Sequence, residues 1–179
     1  YSDIIVGAYG YSNGEVWEGR AYLYLGSASG PSAAAAWTAE GDQTDAEFGC
    51  SVATAGDVNG DGYSDVIVGA YGHSSYAGKA YVYLGSASGL AASPSWTATG
   101  GTSNDLFGCS VAAAGDVNGD GYSDVIVGAN GYDNGESDEG RAYLYLGSAS
   151  GLSAAAAWTA EGDQTEAGFG RSVATAGDV

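Results

Sequence analysis

Two nine-residue stretches carry the residue types and spacing from which chemistry could be built. Asp57-Val58-Asn59-Gly60-Asp61-Gly62-Tyr63-Ser64-Asp65 puts side-chain oxygens at positions 1, 3, 5 and 9, and Asp116, Asn118, Asp120 and Asp124 repeat them at the same spacing. Calcium (Ca2+) takes six to eight hard oxygen ligands at about 2.3–2.6 Å, and a tight loop with alternate side chains turned inward supplies them. Position 7, Tyr63 or Tyr122, would add its backbone carbonyl, and Gly62 or Gly121 at position 6 permits the sharp bend. A bare Asn-Gly or Asp-Gly hairpin turn would need neither the acid at position 9 nor a second copy of the whole pattern. The Glu that an EF-hand requires at position 12 is absent, since Val68 and Val127 stand there. The reading is therefore a β-hairpin calcium loop. A divided third copy keeps Asp178, Tyr1 and Asp3 without the oxygens of positions 3 and 5, and is expected to bind weakly.

The elements that must hold these loops are repeated with them. SDVIVGA occurs at 64–70 and 123–129, with SDIIVGA at 2–8; LGSASG occurs at 25–30, 84–89 and 146–151. The interval is 59 residues from Asp57 to Asp116 and 62 from Asp116 to Asp178. The chain divides into three units, approximately 1–62, 63–121 and 122–179, forming one three-blade segment over 1–179. Gly177-Asp178-Val179 begins the loop pattern and Tyr1-Ser2-Asp3 ends it, so the tiling reads as circularly shifted, with four residues wanting between the two ends.

Each unit reads as short strands. SVATAGDV at 51–58 and DVIVGA at 65–70 flank the acidic loop. KAYVYLGS at 79–86 sets Tyr81 and Tyr83 against Val82 and Leu84, as a strand with two packed faces does. A fourth strand is expected around Ser95–Ala98, and the alanine runs 33–36 and 154–157 are too short to nucleate helix. The predicted fold is all-β: propeller blades of four antiparallel strands, three blade equivalents per chain. Three blades leave open edges. The sequence thus predicts a homo-oligomer, most simply a dimer of six blades, in which a first strand at Ser172–Val179 pairs with the Ser2–Ala8 strand of another copy.

Composition narrows the partners. Twenty-two Asp and Glu against four Lys and Arg give a formal charge of −18, although only 15% of the chain is charged. Such a surface repels polyanions, which argues against nucleic acid and anionic membranes and favours cations. No stretch has the roughly 18 apolar residues of a membrane helix. Thirty-two glycines point to tight turns and exclude a helical bundle. Cys50 and Cys109 share the local sequence FGCS, occupy equivalent positions, and are expected to remain free thiols.

Phe48-Gly49 before the first loop with Gly69-Ala70 after it, and Phe107-Gly108 with Gly128-Ala129, resemble the FG-GAP repeat of integrin alpha-subunit β-propellers. Phe169-Gly170 and Gly7-Ala8 supply the divided copy. Where the family's motif usually ends in proline, this chain has Tyr71, Asn130 and Tyr9. The near identity of the first and third units looks like a prokaryotic repeat array or a consensus design. The resemblance implies calcium loops on one face and partners on the other. That other face would carry the loops Gly10–Gly19, Gly72–Gly78 and Gly131–Gly140 beside Glu40–Glu47, Thr99–Leu106 and Glu161–Gly168, with Trp17, Tyr11, His73, Tyr76 and Tyr132 as possible contacts.

No nucleophile and base pair stands out, and His73, the only histidine, has no partner pattern. Nothing brings two of Glu15, Glu18, Glu136, Asp138 and Glu139 to the separation that glycoside hydrolysis needs. The tyrosines at 22, 24, 81, 83, 143 and 145 suit sugar stacking or blade-to-blade packing, and their threefold repetition favours packing. The chain reads as a non-catalytic, calcium-binding, self-assembling scaffold, extracellular as a secreted or cell-surface module, with a protein or glycan ligand on the face opposite the loops. The alternatives are a purely structural fragment, natural or engineered, with calcium its only ligand, and a carbohydrate-binding propeller.

Overall fold

A computed structural model describes residues 1–179 as three antiparallel sheets standing side by side. The first holds β1 (Ile4–Ala8), β2 (Arg20–Tyr24) and β3 (Trp37–Glu40). The second holds β4 (Ser51–Gly56), β5 (Asp65–Ala70), β6 (Lys79–Tyr83) and β7 (Trp96–Thr99), and the third β8 (Phe107–Gly115), β9 (Asp124–Ala129), β10 (Arg141–Tyr145) and β11 (Trp158–Glu161). Within each sheet the strands follow chain order, so every connection is a hairpin. The acidic loops close the β4–β5 and β8–β9 hairpins. The alanine runs precede β3 and β11 without forming helix. A lone turn at His73–Tyr76 has Ser74 and Ser75 at φ of 54° and 58°, and is no regular helix.

The middle sheet shows why the tyrosine alternation exists. Tyr81 and Tyr83 point with Val66, Val68 and Ala70 toward the first sheet, against Phe48 and Ala21. Val82 and Ala80 point with Ile67 the other way, into a cluster with Phe107, Val111, Val125 and Val127. Period-two alternation on β5 and β6 thus fills two cores at once, and all six residues of β5 are buried. The aromatic rings meet edge to face. Phe48 lies 5.2 Å from Tyr81, Trp37 4.9 Å from Tyr83, Phe107 5.2 Å from Tyr143 and Trp96 4.8 Å from Tyr145. Tyr81, Tyr83, Tyr143 and Tyr145 are therefore engaged in packing between sheets.

Each seam has the same joints. Phe48, Phe107 and Phe169 make parallel bridges to Gly19, Gly78 and Gly140. The Trp37 indole N–H donates to the Ala91 carbonyl of the next sheet (2.9 Å), and the Trp96 indole to Ser153 (3.0 Å). Cys50 and Cys109 are free, and their thiols point at the carbonyls of Gly108 (3.5 Å) and Gly170 (3.7 Å) in the following segment.

The two ends of the chain depart from the repeated pattern. The first sheet holds three strands, the shifted register assigning its fourth to another copy, and Ser172–Val179 lies outside every sheet of the single chain. A strand exists only where its amides find a ladder. The partner that the repeat assigns to Ser172–Val179 is the free edge of β1 in another copy; within the single chain Val173 N–H donates to Ser110 Oγ at 3.1 Å. The β1 strand also begins at Ile4 rather than Ser2.

Candidate functional site

The hairpin loops are held by their own acids. Asp57 Oδ1 accepts from the backbone N–H of Gly60 (2.7 Å) and Asp61 (3.0 Å), and Oδ2 from Gly62 (2.8 Å). Asn59 Oδ1 accepts from Asp61 N–H (3.2 Å), and Asp61 Oδ1 from Tyr63 N–H (2.9 Å). Asp116, Asn118 and Asp120 make the same bonds with Gly119, Gly121 and Tyr122. The side-chain oxygens of positions 1, 3 and 5 thus all accept main-chain amides of the same turn, in a loop that exposes Asp61 and the ring of Tyr63.

Position 9 behaves differently. Asp65 is fully buried, one oxygen accepting from Val58 N–H and the other from Gly85 N–H, both at 2.8 Å. Asp124 repeats this with Val117 and Gly147, and Asp3 Oδ1 takes Gly26 N–H at 2.8 Å. This acid ties the hairpin loop to the turn after the second strand of its unit, β2, β6 or β10, a role the spacing did not reveal. Burial raises the Asp65 carboxyl above its ordinary value, while the amides of Gly85 and Val58 pull it back. In the divided copy Asp178 lies in the unpaired C-terminal stretch, and no hydrogen bond joins it to Asp3.

The donor set fits a hard cation. The ion pairs of the molecule are Arg20–Glu40 and Arg141–Glu161, both at the far end of the sheets, so no basic side chain neutralises either hairpin. Each carboxylate oxygen can accept from more than one direction. Calcium, when bound, would supply the missing positive charge and cross-link the turn through Asp57, Asn59 and Asp61 or their equivalents.

At the opposite end, the inter-strand and inter-sheet loops do meet. Asp45 N–H donates to Val16 (2.7 Å), Leu106 N–H to Tyr76 (2.9 Å) and Glu166 N–H to Ser137 (2.8 Å). Tyr11 and Tyr132 are engaged by Arg20 and Arg141, each guanidinium bonding the hydroxyl at 2.8 Å and lying about 5 Å over the ring, whereas Trp17 is exposed. His73 Nδ1 lies 2.9 Å from Ser74 Oγ, but no carboxylate hydrogen-bonds the ring, so the contact lacks the orienting group of a catalytic set. Among the other acids, Thr44 and Thr165 bond Glu15 and Glu136. Glu18 and Glu139 are buried, and Glu139 lies against Glu161 and Asp163, which the sequence did not single out.

Repeated antiparallel sheets, acidic first hairpins and Phe-Gly seams against Gly-Ala strands define an FG-GAP repeat protein. The FG-GAP repeat family matches residues 48–83 and 107–145. The chain is 39% identical over 117 residues to integrin alpha-IIb of Mus musculus, covering 63% of this chain and 11% of that protein. It is 34% identical over 137 residues to integrin alpha-6 of Gallus gallus, covering 73% and 12%. It is 38% identical over 142 residues to phosphatidylinositol-glycan-specific phospholipase D of Bos taurus, covering 72% and 17%. The chain thus carries integrin-like FG-GAP repeats and spans a small part of the length of these relatives. No helix is long and apolar enough to cross a membrane.

Proposed function

We propose that this chain is a calcium-stabilised FG-GAP propeller module acting in binding or adhesion outside the cell rather than in catalysis. The observation that carries the reading is the duplicated hairpin loop, whose Asp57, Asn59 and Asp61, and Asp116, Asn118 and Asp120, converge with no basic side chain to balance them. Calcium at extracellular concentration would stiffen each hairpin and so the sheet edge it closes. Binding to the folded state raises stability by the linkage relation, so the melting midpoint should rise with calcium and fall with EGTA. Asp57→Asn and Asp116→Asn should each remove one bound equivalent by isothermal titration; an unchanged midpoint with no calcium heat overturns the reading.

We also propose that copies assemble by completing each other's sheets. The open ends support it: Ile4 and Val6 on β1 are 45% and 44% exposed, while Trp158 and Phe169, whose counterparts Trp37, Trp96, Phe48 and Phe107 fill seams, are 49% and 39% exposed. A dimer of six blades would pair residues 172–179 of one copy with β1 of the next. Light scattering with calcium present tests it; a monomer at micromolar concentration overturns it. A ligand on the face opposite the hairpins, protein or glycan, is sought with an array of both.

A further inference from the structure

At the end of the third sheet away from its hairpin loop lies a buried carboxylate with no role so far. Glu139, in the loop entering β10, is 1% exposed, and its Oε1 has no hydrogen-bond donor. An ionised carboxylate out of water is costly unless it is paired or coordinates a metal. One oxygen of Glu139, one of Glu161 at the end of β11 and one of Asp163 just beyond all lie within 4.8 Å of one another. Two oxygens that each sit about 2.4 Å from one ion can be at most about 4.8 Å apart, so the spacing suits a shared calcium-sized cation. Arg141 does not answer the need. Its Nε lies 3.2 Å from Glu161, its other nitrogens bond Tyr132 and Thr159, and Glu139 is left unpaired.

We infer that Glu139, Glu161 and Asp163 form a divalent-cation site of calcium type, separate from the hairpin loops and at the opposite end of the sheet. The ion would join the 131–140 loop, already tied to Glu161 through Asn134 Nδ2 (2.9 Å), to the segment after β11. The other units provide the contrast. Glu18, Glu40 and Asp42 occupy the equivalent positions of the first unit, but the backbone N–H of Asn13 donates to Glu18 Oε1 and satisfies it. In the second unit Ala77, Thr99 and Gly101 stand there, without a carboxylate. The site is thus particular to the third unit.

Calcium titration of the whole chain carrying D57N and D116N, with both hairpins silenced, tests this. One equivalent should remain; adding E139Q and D163N should weaken it at least tenfold, whereas E18Q should leave it in place. Absence of a residual equivalent, or one that survives E139Q and D163N, overturns the site. Should the hairpin-silenced chain not fold, crystals of the unaltered chain soaked in manganese decide, through an anomalous peak beside Glu139 or its absence. Metal at the hairpins but not at Glu139 overturns this site alone, and the reverse overturns the hairpin reading alone.

Discussion

Gly69 backs onto the main-chain carbonyl of Gly108 so closely that a methyl group on its α-carbon would lie 1.9 Å from that oxygen. Gly7 stands in the same relation to Gly49 and Gly128 to Gly170, at 1.9 and 1.8 Å. The second glycine of each pair follows the phenylalanine that bridges to the glycine just before the second-last strand of the preceding sheet. The two halves of the FG-GAP motif are thus the two sides of one joint: backbone against backbone, with the adjoining phenylalanine inserted between tyrosines.

Gly69→Ala should destabilise the fold by about 3 kcal/mol or more, because the obstructing atom is main chain and cannot swing aside. Gly128→Ala should do the same. Gly10→Ala, where nothing lies within 4 Å of the added methyl, should change stability by about 0.5 kcal/mol or less. Urea unfolding followed by circular dichroism separates these outcomes.

The aromatic wedge sets a second comparison. Phe107→Ala removes a side chain that is 1% exposed and faces Tyr143 and Tyr145, and should cost about 3–5 kcal/mol. Phe169→Ala, at a residue that is 39% exposed, should cost about 1 kcal/mol or less in the single chain yet weaken assembly sharply. Melting at low concentration and light scattering at high concentration read the two effects independently.

Burial of phenols and a thiol predicts alkaline sensitivity. Desolvation pushes Tyr83, Tyr143 and Tyr145 to about 12 from an ordinary 10.0, raises Tyr81 in the same direction, and pushes Cys50 to about 12 from 9.0. The unfolded chain releases these protons first, so their contribution to stability is whole below about pH 9 and is lost as pH climbs to about 12. Unfolding free energy should be flat from about pH 7 to 9 and fall steeply above about 10. Stability that holds through that upper window would contradict the assignment of these side chains to the seams.

The acid at position 9 and the acid at position 1 should differ when calcium is withheld. In EGTA, Asp65→Ala strands the buried amides of Val58 and Gly85 and should cost about 2–6 kcal/mol, at about 1–3 per orphaned group. Asp57→Asn keeps one acceptor oxygen, enough for the amides of Gly60 and Asp61, and gives up only the bond from the exposed Gly62, so it should cost less than half as much. Adding calcium should then stabilise the unaltered chain more than Asp57→Asn.

Much of this was legible in the residues because the repeat prints each element three times. Alternation at Tyr81, Val82 and Tyr83 reported a strand with two buried faces, and the structure fills both. The partnership of Gly69 with Gly108 was invisible, since a contact across 39 positions between two residues without side chains leaves no period or charge to read. Glu139 was noticed only as one acid among several. Its burial and its approach to Glu161 and Asp163 depend on how two loops fold against each other. Ser172–Val179, a sequence copied from β4, joins no sheet in the single chain, for it pairs only where an edge like that of β5 is within reach.

The indole bonds from Trp37 to Ala91 and from Trp96 to Ser153 fasten the outer rim in the way the glycine pairs fasten the inner strands. A coupling made alike at both radii lets a whole unit be copied or deleted in the gene while its flanking neighbours still find the mate they had. Length can then drift freely, and the Gly10–Gly19 and Gly131–Gly140 surfaces are at liberty to diversify on an unchanging chassis.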